Sequence, residues 1–253
     1  MVTTPCRTAT ELETKRPVGR WFFTGVALAM IAISLVAFIP SMVHPAERRA
    51  LLSWLAAAHG IVFFAWLLVF LIQSRLIATR HVAWHRRLGL ASIVILALII
   101  PLAYTTTIAM VRRGYDLSGD LSIGINHELA FETAFPLANL LIFTTLATAA
   151  LAYRRRPEIH KRLMLFANIE VMPAPLAHLI GHTPWLASRP PAIVMVPILA
   201  FVGAAVGRDW LLTRRVHRLT WGLAISRIVS GPIEAGAIGT SAAWQHFVHW
   251  LAR

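Results

Sequence analysis

Long apolar runs alternate with short polar segments along this chain. Seven of these runs reach about 20 residues, the length that an α-helix needs to cross the hydrocarbon core of a bilayer. The pattern therefore predicts an all-α bundle of about seven transmembrane helices, with the seventh run the most interrupted by charges and proline. The predicted spans are Trp21–Val43, Leu51–Gln73, Leu88–Val111, Leu129–Ala152, Leu163–His182, Pro190–Leu212 and Leu219–Thr240.

Polar segments flank the predicted bundle on both sides. Residues 1–20 are predicted to form a cytoplasmic tail, 21–240 the transmembrane bundle, and 241–253 a short amphipathic segment along the membrane interface. Cys6 in the tail is the only cysteine of the chain. A disulfide framework and a cysteine-based metal site are therefore excluded.

The basic residues indicate the orientation of the bundle. The chain is 57% hydrophobic and 14% charged, with a formal net charge of +13. Because the positive charge lies between apolar runs and not on a soluble domain, we expect no nucleic-acid partner. Lys and Arg are concentrated before the first run and in the segments between runs two and three, four and five, and six and seven. The positive-inside rule then predicts a cytoplasmic N-terminus, an outer C-terminus, and anionic lipid headgroups as partners at the cytoplasmic face.

A polar stripe marks the second apolar run. His59, Trp66 and Gln73 are spaced by seven residues. On an α-helix this spacing keeps the three side chains on one face, with a drift of about 20° per step. The stripe is predicted to face the interior of the bundle, because polar groups in membrane helices avoid lipid.

Histidine and glutamate side chains are predicted to gather in the outer half of the membrane. His59 and His178 lie at similar depths on runs two and five, which fits the two axial ligands of a haem b. Alternatively, His178 and His182 lie one helical turn apart, and Glu132 could complete a zinc site with them. A structural role is the third interpretation, because polar side chains can repair the backbone breaks around prolines. The predicted outer cluster comprises His59, His127, Glu128, Glu132, His178, His182 and Glu234.

A second pair of histidines belongs to the basic segments on the cytoplasmic side. His85 and His160 each open an apolar run and are followed by basic residues. One interpretation is interface anchoring against anionic headgroups. The alternatives are a second haem and a headgroup bound at the exposed helix amides.

Glu170 and Arg227 are predicted to form a structural ion pair between spans five and seven. Both lie about eight residues from the inner start of their spans, at roughly 12 Å depth. An isolated charge at such a depth costs at least about 2.5–3.5 kcal/mol, so an opposite charge nearby is expected.

The histidine, glutamine and glycine spacings resemble those of a group of uncharacterised bacterial multi-pass membrane proteins. Such proteins carry a histidine early in one span, a glutamine near its end, His-Arg-x-x-Gly opening the next span, and a later His-x-x-x-Met opening. The resemblance covers about Ser53–Leu179. It implies a helical bundle in the bacterial inner membrane and implies no activity. The matching residues are His59, Gln73, His85, Arg86, Gly89, His160 and Met164.

Three classes of function remain open from the sequence. The first is a redox protein that binds haem b or exchanges electrons with a quinone. The second is an intramembrane metal-dependent hydrolase that uses the outer His/Glu cluster. The third is a non-catalytic membrane protein whose polar network is structural. The sequence contains no phosphate-binding loop, dinucleotide fingerprint or nucleophile elbow, so no catalytic residue is assigned.

Overall fold

The computed structural model describes residues 17–43, 52–113 and 129–252. These residues are overwhelmingly helical and contain no strand, which confirms the all-α prediction. A 3₁₀ turn at Pro191–Val194 precedes α8, and a π-helix at Ile233–Ile238 follows α9. The α-helices are α1 Pro17–Val43, α2 Trp54–Ala78, α3 Val82–Arg113, α4 Leu129–Ala152, α5 Pro157–Ile169, α6 Pro173–Gly181, α7 Pro184–Ala187, α8 Met195–Thr213, α9 Arg218–Pro232 and α10 Ala242–Ala252.

Six helical segments in the described ranges are long and apolar enough to cross a membrane. The seventh predicted span is not among them, because α9 ends after 15 residues and continues as a π-helix. The six candidate spans are Gly19–Val43, Trp54–Ala78, Val82–Arg113, Thr133–Ala152, Pro157–Gly181 and Ala192–Thr213.

The turn between α2 and α3 is tight and brings together the ends of these helices that are predicted to be cytoplasmic, which we call the inner ends. Arg80 has a left-handed backbone with φ of 65°, and the N–H of His81 donates to the carbonyl of Leu76 at 2.7 Å. This is the 6→1 hydrogen bond of a Schellman-type helix end. Because the turn is so short, α3 begins at Val82 and not at the predicted Leu88, so His85 lies inside the helix.

Helices that are neighbours in the chain pack against one another from α1 to α5, and α6 packs back onto α1. The shared core contains large side chains with almost no exposed surface, among them Trp66, Phe166, Met30 and Ile99. α3 packs against α4, and α4 packs against α5, so residues at the inner ends of α3 and α5 can meet beside the end of α4.

The fifth span is broken in its middle. α5 ends at Ile169, residues 170–172 form turns, and α6 begins at Pro173. Proline at position 173 has no N–H and so removes the helical donor for the carbonyl of Ile169. That carbonyl instead accepts a hydrogen bond from the N–H of Met172 at 3.1 Å. The backbone therefore repairs this break locally, without a polar side chain.

The segment formed by α9, the π-helix and α10 contacts opposite ends of the bundle. Near the start of α9, Thr220 bonds Asp209 close to the end of α8, while α10 packs against α3 and α4. The Nε of Arg112, next to the last residue of α3, donates to the carbonyl of Leu251 at 3.1 Å. The C-terminal segment, predicted to lie along the interface, is a helix that covers the ends of these two helices.

Candidate functional site at the inner histidine pair

His85 and His160 meet at the inner ends of α3 and α5. Their ring centroids are 6.4 Å apart and the ring planes are nearly perpendicular, at 81°. Each histidine is the fourth residue of its helix, counted from Val82 and from Pro157. The two helices therefore present their histidines at the same level of the bundle.

The backbone around the pair fixes the orientation of one ring. Nδ1 of His160 lies 2.8 Å from the carbonyl oxygen of Ala150, near the end of α4. A carbonyl can only accept, so this contact assigns the proton to Nδ1 and leaves the lone pair on Nε2. Histidines that bind metals are commonly oriented by such a hydrogen bond from their second nitrogen.

The second ring lies beside the end of α2. The backbone of Gln73 approaches the imidazole of His85, and Nδ1 of His85 is buried with no hydrogen-bond partner among the described residues. Oε1 of Gln73 is likewise buried and unpartnered within the described ranges. Two buried acceptors with unused lone pairs thus lie at the same inner level as His160.

The side-chain amide of Gln73 packs against Gly89. A Cβ added to Gly89 would lie 3.9 Å from Nε2 of Gln73, so the amide lies directly over the glycine. The structure thus brings together Gln73, His85, Gly89 and His160, four of the residues on which the resemblance to bacterial multi-pass proteins rests. Arg86 is exposed beside them, and Met164 is partly buried against the core one turn after His160.

The polar stripe of α2 faces the bundle along its length. His59 is half-buried, and its Nδ1 lies 3.1 Å from Oγ1 of Thr106 on α3. Trp66 is 1% exposed and packs edge-to-face against Phe143 of α4. Gln73 completes the stripe at the inner histidine pair.

The predicted outer pair has separate surroundings on different helices. His59 stacks on Phe63 of its own helix, with ring centroids 4.2 Å apart. His178 is buried, with Nε2 3.4 Å from Oγ of Ser41 and its ring 4.6 Å from that of Phe38, both on α1. The contacts of the described residues therefore associate His59 with α3 and His178 with α1.

Two of the three predicted zinc ligands are adjacent. The rings of His178 and His182 lie 4.5 Å apart, and His182 is an exposed residue at the C-cap of α6. The described residues contain no group of three or more histidine, cysteine, aspartate or glutamate side chains suited to a metal ion. Glu132 lies in α4 with a side chain outside the described set, and His127 and Glu128 fall outside the described residues.

The structure brings Glu170 and Arg227 together. Nε of Arg227 lies 3.4 Å from Oε1 of Glu170, and both side chains are buried. The same guanidinium donates from Nη1 to Oγ of Ser230 at 2.7 Å. Glu170 occupies the break between α5 and α6, and Glu234 lies in the π-helix.

A larger charged network at the inner ends of α5, α8 and α9 was missed by sequence reasoning. Asp209 accepts hydrogen bonds from Nη2 of Arg162 at 2.8 Å, from Thr220 at 2.6 Å and from Nη1 of Arg208 at 3.2 Å. Arg162 also bonds Glu158, one turn earlier on α5, at 2.7 Å. We call these five residues the Asp209 cluster. The available sequence signal was an aspartate placed about one turn before the end of an apolar run, in a chain with few acidic residues.

The cluster also affects a histidine just outside the spans. His217 caps α9, and its Nδ1 accepts a hydrogen bond from the N–H of Leu219 at 3.1 Å. Partial burial and the positive charge of Arg162 lower the pKa of His217 below its usual 6.5. The neutral ring is favoured, as required for a nitrogen that accepts the capping hydrogen bond.

The fold and the inner site define a class: a helical, multi-pass membrane protein with a half-buried polar site near one end of its bundle. No family model matches the chain, and neither a curated protein nor a solved structure matches it.

Proposed function

We propose that this protein is a redox protein of the bacterial inner membrane that binds haem b between His85 and His160. The observation that carries the proposal is the perpendicular pair of half-buried rings, 6.4 Å apart between two helices of the bundle. In a bis-histidine haem each ligating nitrogen lies about 2 Å from the iron, which sets the two ring centroids about 6 Å apart. A bound haem b supplies one-electron transfer.

The residues around the pair fit a haem in two further respects. The Ala150 carbonyl leaves Nε2 of His160 as the nitrogen with a free lone pair, as an axial ligand requires. The propionates of haem are anionic, and the basic residues of the adjoining segments offer them cationic partners. Those residues are Arg86, Arg87, Arg154, Arg155 and Arg156.

Topology forms part of the same proposal. We infer that the N-terminus is cytoplasmic, because the inner histidines adjoin the segments richest in arginine. We also infer that α9 and the π-helix complete a seventh crossing. Their 21 residues would span about 31 Å as a helix, close to the thickness of the hydrocarbon core.

A reduced-minus-oxidised absorption spectrum of the detergent-purified protein tests the haem site. Protein from cells supplied with a haem precursor is expected to show a b-type α-band, which His85→Ala and His160→Ala each abolish. His81→Ala is the matched control, because His81 is exposed in the same inner turn and its ring contacts the hydroxyl of Thr79, away from the histidine pair. Wild-type protein without an α-band, or an α-band that persists in both variants, would contradict the proposal.

Quinol binding at the same place is a second candidate, favoured by the two unpartnered acceptors. Nδ1 of His85 and Oε1 of Gln73 are suited to accept hydrogen bonds from the hydroxyls of a quinol head group. A short-chain quinol is then expected to raise the melting temperature of the wild type and not that of Gln73→Leu. The two candidates exclude each other, since both use His85, and the absorption spectrum decides between them.

A further inference from the structure

Two carboxylates and one guanidinium share the interior of the bundle, far from the inner histidine pair. Glu170, Arg227 and Glu234 are 5%, 4% and 2% exposed. Along α9 and the π-helix, Arg227 lies about 14 Å and Glu234 about 24 Å from the inner start, both within the thickness of a bilayer core. If all three groups are ionised, this group of residues carries one uncompensated negative charge.

The contacts distinguish the two carboxylates. Glu170 faces the guanidinium, with Oε1 at 3.4 Å from Nε of Arg227. Both oxygens of Glu234 are buried, the Ser230 hydroxyl is the polar group beside them, and no charged group among the described residues donates a hydrogen bond to them. An ionised carboxylate without a charged donor is strongly disfavoured in an apolar interior and takes up a proton instead.

Few charged groups surround Glu234 on the elements that pack against the π-helix. Arg227 on α9 and Glu170 at the α5–α6 break are the described charged residues in electrostatic reach. On α4, which packs against the π-helix, Glu132 is the only charged residue of the helix and its side chain is outside the described set. The positive charge available to this group in the described residues is therefore a single guanidinium.

We propose that Glu234 is an intramembrane proton-binding site, with the Glu170–Arg227 pair as its fixed counter-charges. In the protonated state Glu234 is neutral and Arg227 is neutralised by Glu170. Release of the proton to water leaves a carboxylate at Glu234, which competes with Glu170 for Arg227. Ser230, which accepts a hydrogen bond from Arg227, lies between them in the chain, one turn from each of Arg227 and Glu234.

The backbone at this place is suited to respond to such a change. Glu170 lies where the fifth span is interrupted, and Glu234 lies in a π-helix. Interrupted membrane helices commonly carry ion sites near the bilayer midplane, and π-helical turns are frequent at functional sites. Because the α5–α6 break and the π-helix already depart from a regular α-helix, Arg227 can exchange partners without breaking a continuous α-helix.

Infrared spectra of the purified full-length protein, recorded against pH, test the proposal. We expect a protonated-carboxyl C=O band at pH 7 that is absent in Glu234→Gln and that the wild type loses as pH rises. Glu158→Gln is the matched control and should retain the band, because Glu158 is partly exposed and paired with Lys161 and Arg162. Glu170→Gln should lose the band at pH 7, because Arg227 is then left without its carboxylate and favours the ionised form of Glu234.

Each other outcome overturns the assignment. If the wild type shows no such band at any pH at which it stays folded, the protein contains no protonated buried carboxyl group. A band that survives in Glu234→Gln belongs to another residue. If Glu234→Gln does not fold, Glu234→Asp replaces it, and a band that is unchanged in frequency and in pH midpoint in that variant excludes Glu234.

Discussion

The Asp209 cluster offers the sharpest test of how charge is held inside this bundle. Asp209 is 3% exposed and faces two buried arginines, Arg162 and Arg208. Replacing Asp209 by Asn keeps the shape of the side chain and removes its charge. Both guanidiniums then lose a carboxylate partner, and the asparagine amide points donors toward donors.

The expected loss of folding stability in Asp209→Asn follows from the burial of both partners of the ion pair. Removing one partner of a buried ion pair costs about 3–5 kcal/mol, because the remaining charge is left uncompensated. For a chain of this size that corresponds to a melting temperature lower by on the order of 10 °C. Glu158→Gln is the control: the Glu158 side chain is 32% exposed, so its pairs should contribute only about 0–1 kcal/mol and shift melting by a few degrees at most.

Thermal melting in detergent, followed by the fraction of protein that stays monodisperse on size exclusion, measures both variants. A double variant, Arg162→Met with Asp209→Leu, should recover part of the loss, because it removes both charges together. Arg162→Met and Asp209→Leu are also measured singly, so that the double variant can be compared with their sum. The reasoning is refuted if Asp209→Asn melts within error of Glu158→Gln, or if the double variant loses the full sum of these two single losses.

Three further predictions concern the core, the topology and the pH response. Trp66→Ala should lower the free energy of unfolding by about 3–5 kcal/mol because of the cavity it leaves. Trp66→Phe should melt much closer to the wild type, because the indole N–H has no partner among the described residues. Melting curves compare the two variants. Reporter fusions should be active on the cytoplasmic side within 154–156 and on the outer side at Arg253, and a cytoplasmic signal at Arg253 would mean that the last segment does not cross. Since the folded state depresses the pKa of His217, the unfolded chain binds more protons near pH 6, so stability should fall as pH drops below about 6.5. His217→Asn keeps a cap acceptor for the N–H of Leu219 without titrating, and its melting temperature should fall less over that range.

The elements of the fold were predictable because each carries a strong local signal. Apolar runs of membrane length gave the helices, and prolines at 173 and 175 marked the break in the fifth span. The short turn at Arg80 was not predictable, because a left-handed residue there is usually glycine or asparagine. The π-helix after α9 was missed as well, since no residue preference distinguishes a π-turn from an interrupted α-helix.

Side-chain partnerships were predictable only where few alternatives existed. Glu170 and Arg227 are opposite charges deep in apolar runs, so matched depth left each with few possible partners. Asp209 lies near the inner boundary, where water and several arginines lie at the same depth, so depth alone does not identify its partner. Its choice of Arg162 and Thr220 depends on which faces of α5, α8 and α9 turn toward one another, and that rotation is set by packing across the whole bundle.

The same reasoning explains why the inner histidines meet while the outer ones have different partners. Depth counted at about 1.5 Å per residue is sound only along an unbroken helix. His85 and His160 are both the fourth residue of helices that start at the same face, so little error accumulates. His178 lies beyond the break at 170–172, where the α-helix is interrupted before α6 begins. Its depth, which was counted from the predicted outer end of the span, does not determine which helix it contacts, and α6 places it against α1. A cofactor held by two histidines needs both rings at one level and facing each other, and in the described part of this chain the inner pair satisfies both requirements.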